Sequence, residues 1–175
     1  MREYAYTIRL MAVRLFSAKG AGDDLAAGRI AAGDQSLYLT ASFLIWMVPA
    51  YLFLFPAPRT IEPEFFWGIW LAELALLVLL CIVGIGFCLR NCRVEPQRNF
   101  LVDFSCLNAP ISLTTLAIVW GAFHLLTAPW FPWLESPRAY DVVRLLASVA
   151  AVFIVFLRIG RHMDRVSVLR GSSTR

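Results

Sequence analysis

Residues 66–89 read FWGIWLAELALLVLLCIVGIGFCL, and this stretch decides the fold. At 1.5 Å of rise per residue the run exceeds the ~30 Å hydrocarbon core of a bilayer, so a helix here can cross with some tilt. Its one ionisable carboxylate is Glu73. A carboxylate at that depth is costly unless it is protonated, paired or hydrated. The stretch therefore predicts a membrane-spanning helix in which Glu73 is either a functional site or a structural clamp.

The composition of the whole chain agrees with a membrane protein. Of the 175 residues, 59% are hydrophobic and only 16% are charged, which is too few charges to cover the surface of a soluble domain. The net charge of +4 could indicate a nucleic-acid partner, but the basic residues flank apolar runs and no zinc-finger spacing occurs. The charge therefore indicates membrane topology and contact with anionic lipid, and we expect no nucleic-acid binding.

Hydropathy and turn residues together predict four spans, at about 37–55, 66–89, 110–128 and 141–159. The short loops between spans one and two and between spans three and four are rich in proline and aromatic residues, which suit the headgroup level. Pro49 lies inside the first span and is expected to kink it. The predicted fold is an all-α, polytopic integral membrane protein whose four helices form two antiparallel hairpins.

An N-terminal segment precedes the spans. Within residues 2–19, one helical stripe flanked by basic residues consists of Tyr4, Ile8, Met11, Leu15 and Ala18. This pattern predicts an amphipathic helix that lies on the membrane or packs on the bundle. A Gly- and Asp-rich linker follows, part of which can form a turn or two of helix. The domain organisation is then residues 1–35 as helix and linker, 36–170 as the transmembrane domain and 171–175 as a disordered basic tail.

Two helix starts are identified by their capping residues. Asp34 or Ser36 can cap the first span. Asn108 can cap the third span with Pro110 in its first turn, or that helix begins near Asn99 and Pro110 kinks it. The fourth span can continue as a helix through the basic tail up to Gly171.

The basic residues predict the orientation. Only Arg59, Arg138 and Arg144 lie on the side of the two aromatic loops, and the remaining basic residues lie on the other side. By the positive-inside rule both termini and the middle loop are cytoplasmic, in the inner (plasma) membrane of a bacterium. The residues expected to contact lipid headgroups are Arg9, Arg14, Lys19, Arg90, Arg93, Arg98, Arg158, Arg161 and Arg165.

Three ionisable residues fall at similar depth in the outer leaflet. Glu73, His124 and Arg144 could form a proton relay, an ion site or a pocket for an anion. Alternatively, Glu73 and Arg144 form an ion pair that fixes helix register, with His124 at the interface, and we favour this structural interpretation. In the inner half, Asn108, Ser112 and Thr115 share one face of span three, which predicts interhelical hydrogen bonding.

The four cysteines, Cys81, Cys88, Cys92 and Cys106, all map to the cytoplasmic half of the molecule. A membrane thiol oxidoreductase would place cysteine pairs on the oxidising side. We therefore expect reduced, mostly buried thiols, and we expect no metal and no cofactor.

Three hypotheses for function follow. No phosphate-binding or hydrolase motif occurs, and almost all residues belong to spans or short loops. The first hypothesis is a non-enzymatic component that anchors, scaffolds or assembles a membrane complex, with other subunits or itself as partners. The second is a small homo-oligomeric channel or transporter that uses Glu73, His124 and Arg144. The third is a membrane-embedded lipid enzyme, in which Glu73, His124 or Asp103 could act while Arg93 and Arg98 hold a phosphate.

Overall fold

A computed structural model describes residues 17–30, 32–51, 63–92, 96–126 and 136–173. This part of the chain contains five helices and no strand, so the prediction of an all-α fold is confirmed. The helices are α1 (Ala18–Ala26), α2 (Ala32–Tyr51), α3 (Pro63–Asn91), α4 (Pro96–Leu126) and α5 (Pro137–Ser173).

Three of these helices are long and apolar enough to cross a membrane. They contain the segments Trp67–Asn91, Phe100–Leu126 and Pro137–Arg170. The prediction of a helical membrane protein is confirmed to this extent. Helix α2 covers most of the first predicted span, and the last residues of that span lie outside the described part of the chain. Most of the predicted amphipathic helix also lies outside it.

The helices pack in an order that the loops did not indicate. Helix α5 lies between α3 and α4, α2 packs against α4, and α1 lies across α4 and α5. Within the described residues α2 and α3, which we expected to pair as a tight hairpin, are not in contact. The physical reason lies in α3, because its carboxylate Glu73 needs a buried cationic partner and Arg144 of α5 supplies it.

Helices α3 and α5 run parallel to each other. Their contacts advance in the same direction along both helices: Glu73 meets Arg144, and further on Gly84 lies under the ring of Phe156. Beyond that point the glycine and the ring exchange helices, because Gly160 of α5 lies under the ring of Phe87 of α3. A Cβ atom built on either glycine would overlap the facing ring. The absence of a side chain at these two positions therefore permits the close approach of α3 and α5.

Two helix boundaries differ from the sequence-based expectations, and a third decides between two alternatives that the sequence left open. Helix α1 forms inside the predicted linker, where the Ser17 hydroxyl accepts a hydrogen bond from the N–H of Gly20 at 3.2 Å and caps the helix. Helix α2 begins at Ala32, ahead of both predicted caps. Helix α4 begins at Pro96, so Pro110 lies in its interior and Asn108 is not a cap.

Helix α5 continues well past the predicted end of span four. It extends from Pro137 to Ser173 and carries its basic residues beyond the apolar segment, as the sequence indicated. The buried apolar core concentrates on this half of the bundle, around Cys106, Leu107, Ile111 and Val155. The protein is therefore best packed at the end of the bundle that lies away from Glu73. Helix α1 docks at this same well-packed end.

Candidate functional site

The ion pair between Glu73 and Arg144 is the most conspicuous polar feature inside the bundle. Arg144 Nη2 donates to Glu73 Oε2 at 2.6 Å, and Nη1 donates to Oε1 at 3.1 Å. Both side chains are buried between α3 and α5. A bidentate guanidinium–carboxylate pair of this kind is geometrically specific, because two parallel N–H bonds fix both helices in depth and rotation.

Arg144 has a second acidic residue on its own helix. Asp141 lies one turn before it and is completely buried, next to the likewise buried Tyr140. The Tyr140 ring packs edge-on against Phe123 of α4, with 5.6 Å between ring centroids. The Nε of Arg144 has no hydrogen-bond acceptor among the described residues. The burial of Asp141 was not predicted from the sequence, because this residue stands at the start of a predicted span, where an exposed carboxylate is usual.

His124 does not join this pair. Its side chain is exposed, and its imidazole packs against its neighbours on α4, with ring centroids 4.6 Å from Trp120 and 5.9 Å from Phe123. The structure therefore brings together two of the three residues of the predicted constellation. His124 instead belongs to an aromatic group near the end of α4.

The polar face predicted on span three is buried. Asn108, Ser112 and Thr115 are all nearly inaccessible, and the Ser112 hydroxyl donates to Asn108 Oδ1 at 2.8 Å. Thr115 Oγ1 accepts a hydrogen bond from Arg158 Nη1 of α5 at 2.8 Å, so this position bonds across the α4–α5 interface. The face provides hydrogen bonds within the bundle, as expected for such residues in membrane helices.

A second group of ion pairs holds the far end of the bundle together. Arg170 Nη1 and Nη2 donate to the two carboxylate oxygens of Asp103, at 2.6 Å and 2.9 Å, and Nη2 also donates to the carbonyl oxygen of Leu25 at 3.1 Å. Arg165 Nη2 donates to Asp23 Oδ1 at 2.9 Å. These bonds fasten α1 to α4 and α5. Asp103 is thereby paired with Arg170, which weakens its candidacy as the acid or base of a lipid enzyme.

The residues expected to contact headgroups have varied surroundings. Lys19, Arg90 and Arg161 are exposed, Arg165 pairs with Asp23, and Arg158 is half-buried. Arg9, Arg14, Arg93 and the side chain of Arg98 lie outside the described part of the chain. Their contact with lipid stays a prediction.

The four cysteines are free thiols, and three of them are buried. The Cys88 thiol lies 3.8 Å from the carbonyl oxygen of Phe156, as a weak donor would. Burial raises the pKa of the Cys92 thiol, and the Asp103 carboxylate raises it further while Arg170 opposes this effect. A thiol in these surroundings is kept protonated and is a poor nucleophile. Among the described residues, no group of three or more His, Cys, Asp or Glu side chains is placed to hold a metal ion.

Comparison with known proteins adds no family to this geometry: no family model matches the chain, and neither the curated proteins nor the solved structures searched contain a match. The fold and its intramembrane ion pair define a helical membrane protein. Its function is inferred below from the geometry of the helices.

Proposed function

We propose that this protein is a non-enzymatic subunit that anchors, scaffolds or assembles a larger membrane complex. It contacts its partner through the outward face of α3, which is the side of this helix that points away from α5. The partner is a transmembrane helix of another subunit.

One observation carries the proposal: the other described helices leave α3 almost uncovered. Only 11% of its most apolar segment is buried, against 39% in α4 and in α5. It packs mainly along α5 and meets α4 only marginally. Its exposed apolar side chains include Leu71, Leu74, Val78, Leu79, Ile82 and Val83.

Small residues on α3 support a helix partner rather than lipid alone. Gly68, Ala72 and Ala75 follow at spacings of four and three, so they form one stripe, and all three are exposed. At 100° per residue this stripe lies opposite the side that carries Glu73 and Gly84. A Cβ atom on Gly68 would meet no atom within 4 Å, so packing within the chain does not require a small residue there. In membranes, small residues let a second helix approach closely.

The ion pair supports a structural role over the two alternatives. Both carboxylate oxygens of Glu73 accept hydrogen bonds from Arg144, which leaves neither in a water-filled path such as a channel requires. His124 is exposed and packs against Trp120 and Phe123 on its own helix. The pair instead fastens α3 to α5, and it thereby holds the opposite face of α3 toward a partner.

The proposed topology places α2 in the membrane as a fourth span. Leu37, Leu39, Phe43 and Leu44 of α2 are exposed, as lipid-facing residues would be. The basic ends of α3 and α5, together with α1, then lie on the cytoplasmic side of the inner membrane, in accord with the positive-inside rule.

Site-specific photocrosslinking in the native membrane tests the proposal. A photoreactive amino acid at position 72, on the outward face of α3, should yield an adduct with a second, different protein. Position 117 is the matched control, because Ala117 is an exposed small residue within the apolar segment of α4. Adducts with lipid alone at both positions would contradict the proposal, and an adduct with a second copy of the chain would favour the channel.

A further inference from the structure

Arg158 differs from three other arginines of α5. Arg144, Arg165 and Arg170 each form an ion pair with a carboxylate on another helix. Arg158 is half-buried, and its hydrogen bonds within the described residues go only to hydroxyl groups. Its positive charge is therefore not neutralised by a carboxylate in this part of the chain.

Two threonines of α4 fix the position of the Arg158 side chain. Its Nη1 donates to Thr115 Oγ1 at 2.8 Å and to Thr114 Oγ1 at 3.1 Å. The Thr114 hydroxyl is itself oriented, because it donates to the carbonyl oxygen of Pro110 at 2.9 Å. Thr115 is almost fully buried, so this anchor is rigid.

The opposite edge of the guanidinium is left open. Nε and Nη2 have no acceptor among the described residues, and neither is among the buried nitrogen atoms without a partner, so both lie at the protein surface. These two nitrogens form the planar fork with which arginine binds two oxygens of a phosphate.

The Cα atom of Arg158 lies near the depth at which the hydrocarbon core ends. Because α3 and α5 run parallel and Phe87 faces Gly160, Arg158 lies at about the level of Gly86. Along α3, Gly86 lies about 28 Å from Trp67, the first residue of the aromatic end, at 1.5 Å per residue. This is close to the ~30 Å thickness of the hydrocarbon core. Arg158 therefore lies at the membrane boundary opposite the Trp67–Trp70 end.

We infer that Arg158, Thr114 and Thr115 form a binding site for the phosphate group of an anionic phospholipid in the groove between α4 and α5. Nε and Nη2 of Arg158 bind two phosphate oxygens, and the threonines hold the guanidinium in the required orientation. The exposed Arg161, three residues further along α5, adds positive charge without being positioned by a hydrogen bond within the described residues. This inference depends on the membrane placement of α4 and α5 and is independent of any partner of α3.

The test is lipid binding to the purified, delipidated full chain, measured by native mass spectrometry. Phosphatidylglycerol is titrated, with phosphatidylcholine as the lipid control. Arg158→Gln should lower the affinity for the most tightly bound phosphatidylglycerol molecule about tenfold. This is the loss expected when charge-assisted hydrogen bonds are removed. Arg161→Gln removes the same charge from an exposed site and should change binding by less than about twofold.

Each other outcome decides against the inference. Equal losses in the two variants would mean that the basic face binds lipid without a specific site, and equal binding of phosphatidylcholine would exclude recognition of the anionic headgroup. Displacement of the lipid by millimolar inorganic phosphate would overturn the assignment to lipid and leave a site for free phosphate. If Arg158→Gln does not fold, the double change Thr114→Val with Thr115→Val keeps the charge but removes both hydroxyl groups that hold it. Unchanged binding in that variant would overturn the proposal.

Discussion

At the scale of single residues, the Glu73–Arg144 pair determines how α3 sits in the protein. Two charges removed from water are stable only when each compensates the other, and here both oxygens and both terminal nitrogens are engaged. Removing one partner leaves an uncompensated buried charge. We therefore expect the loss of one partner to be strongly destabilising, because the other charge then remains buried without compensation.

We predict that Glu73→Gln lowers the free energy of unfolding by roughly 3–5 kcal/mol, the cost typical of a broken buried pair. Denaturant titration of the purified protein in detergent micelles measures this loss. Glu64→Gln is the matched control, because Glu64 is an exposed carboxylate on the same helix and its loss should be almost neutral.

The double replacement Glu73→Leu with Arg144→Leu extends this test. It removes both charges together and should recover most of the stability that the single change loses. A fully stable Glu73→Gln variant would contradict the structural role of the pair. It would favour the hypothesis that Glu73 lines a channel or transport path.

The sequence indicated this pair, left the position of His124 open between two alternatives, and did not single out Asp141. Glu73 and Arg144 are opposite charges at similar depth, and the cost of leaving either unpaired strongly favours their pairing. His124 lies at similar depth, but its direction depends on the rotation of α4, which is set by packing along the whole helix. The burial of Asp141 depends on how the start of α5 packs in the bundle, which hydropathy does not report.

At the scale of helices, the α3–α5 interface depends on reciprocal packing of rings over glycines. Phe156 covers Gly84, and Phe87 covers Gly160. We predict that Gly84→Leu forces the two helices apart and lowers the unfolding free energy by about 1–3 kcal/mol or more, as overpacking does in well-packed cores. The measurement is the same denaturant titration.

Gly121→Leu on α4 is the control for this substitution. A Cβ atom at Gly121 meets no neighbour within 4 Å, so a larger side chain there should be tolerated. Equal destabilisation by the two changes would show that glycine loss in any helix is harmful, and that the close contact of α3 with α5 is not the cause.

Helix lengths were harder to predict than helix positions. The sequence left open whether Pro110 starts or interrupts the third span, and the structure places it inside α4. Its missing N–H removes one helix bond, while its carbonyl oxygen gains the hydroxyl of Thr114 as a donor. Similarly, α1 forms although glycine disfavours helix, since contacts with α4 and α5 and the bonds from Arg165 and Arg170 outweigh that propensity.

At the scale of the whole molecule, charge is distributed in two layers. One buried pair lies near the Trp67 end, and the carboxylates of Asp23 and Asp103 pair with arginines at the other end. Composition alone predicted the membrane class, because 59% hydrophobic residues cannot be accommodated in a soluble domain of this size. The neighbours of each helix could not be predicted, since short loops restrict which helices can meet but do not select among them.

This distribution has one functional consequence. The buried carboxylates of Glu73 and Asp103 are paired within the chain, whereas the long apolar face of α3 is not covered by the other described helices. A partner is therefore expected to recognise shape, through Gly68, Ala72 and Ala75, rather than charge. A bulky residue in this stripe should prevent assembly without unfolding the chain.

The most direct test is native mass spectrometry of the tagged protein after gentle extraction from its own membrane, comparing the wild type with Ala72→Leu and Ala117→Leu. We predict stoichiometric foreign subunits with the wild type and with Ala117→Leu, and their loss with Ala72→Leu. A wild-type protein that emerges alone, or only with copies of itself, would contradict the anchoring role, and copies of itself would favour a channel.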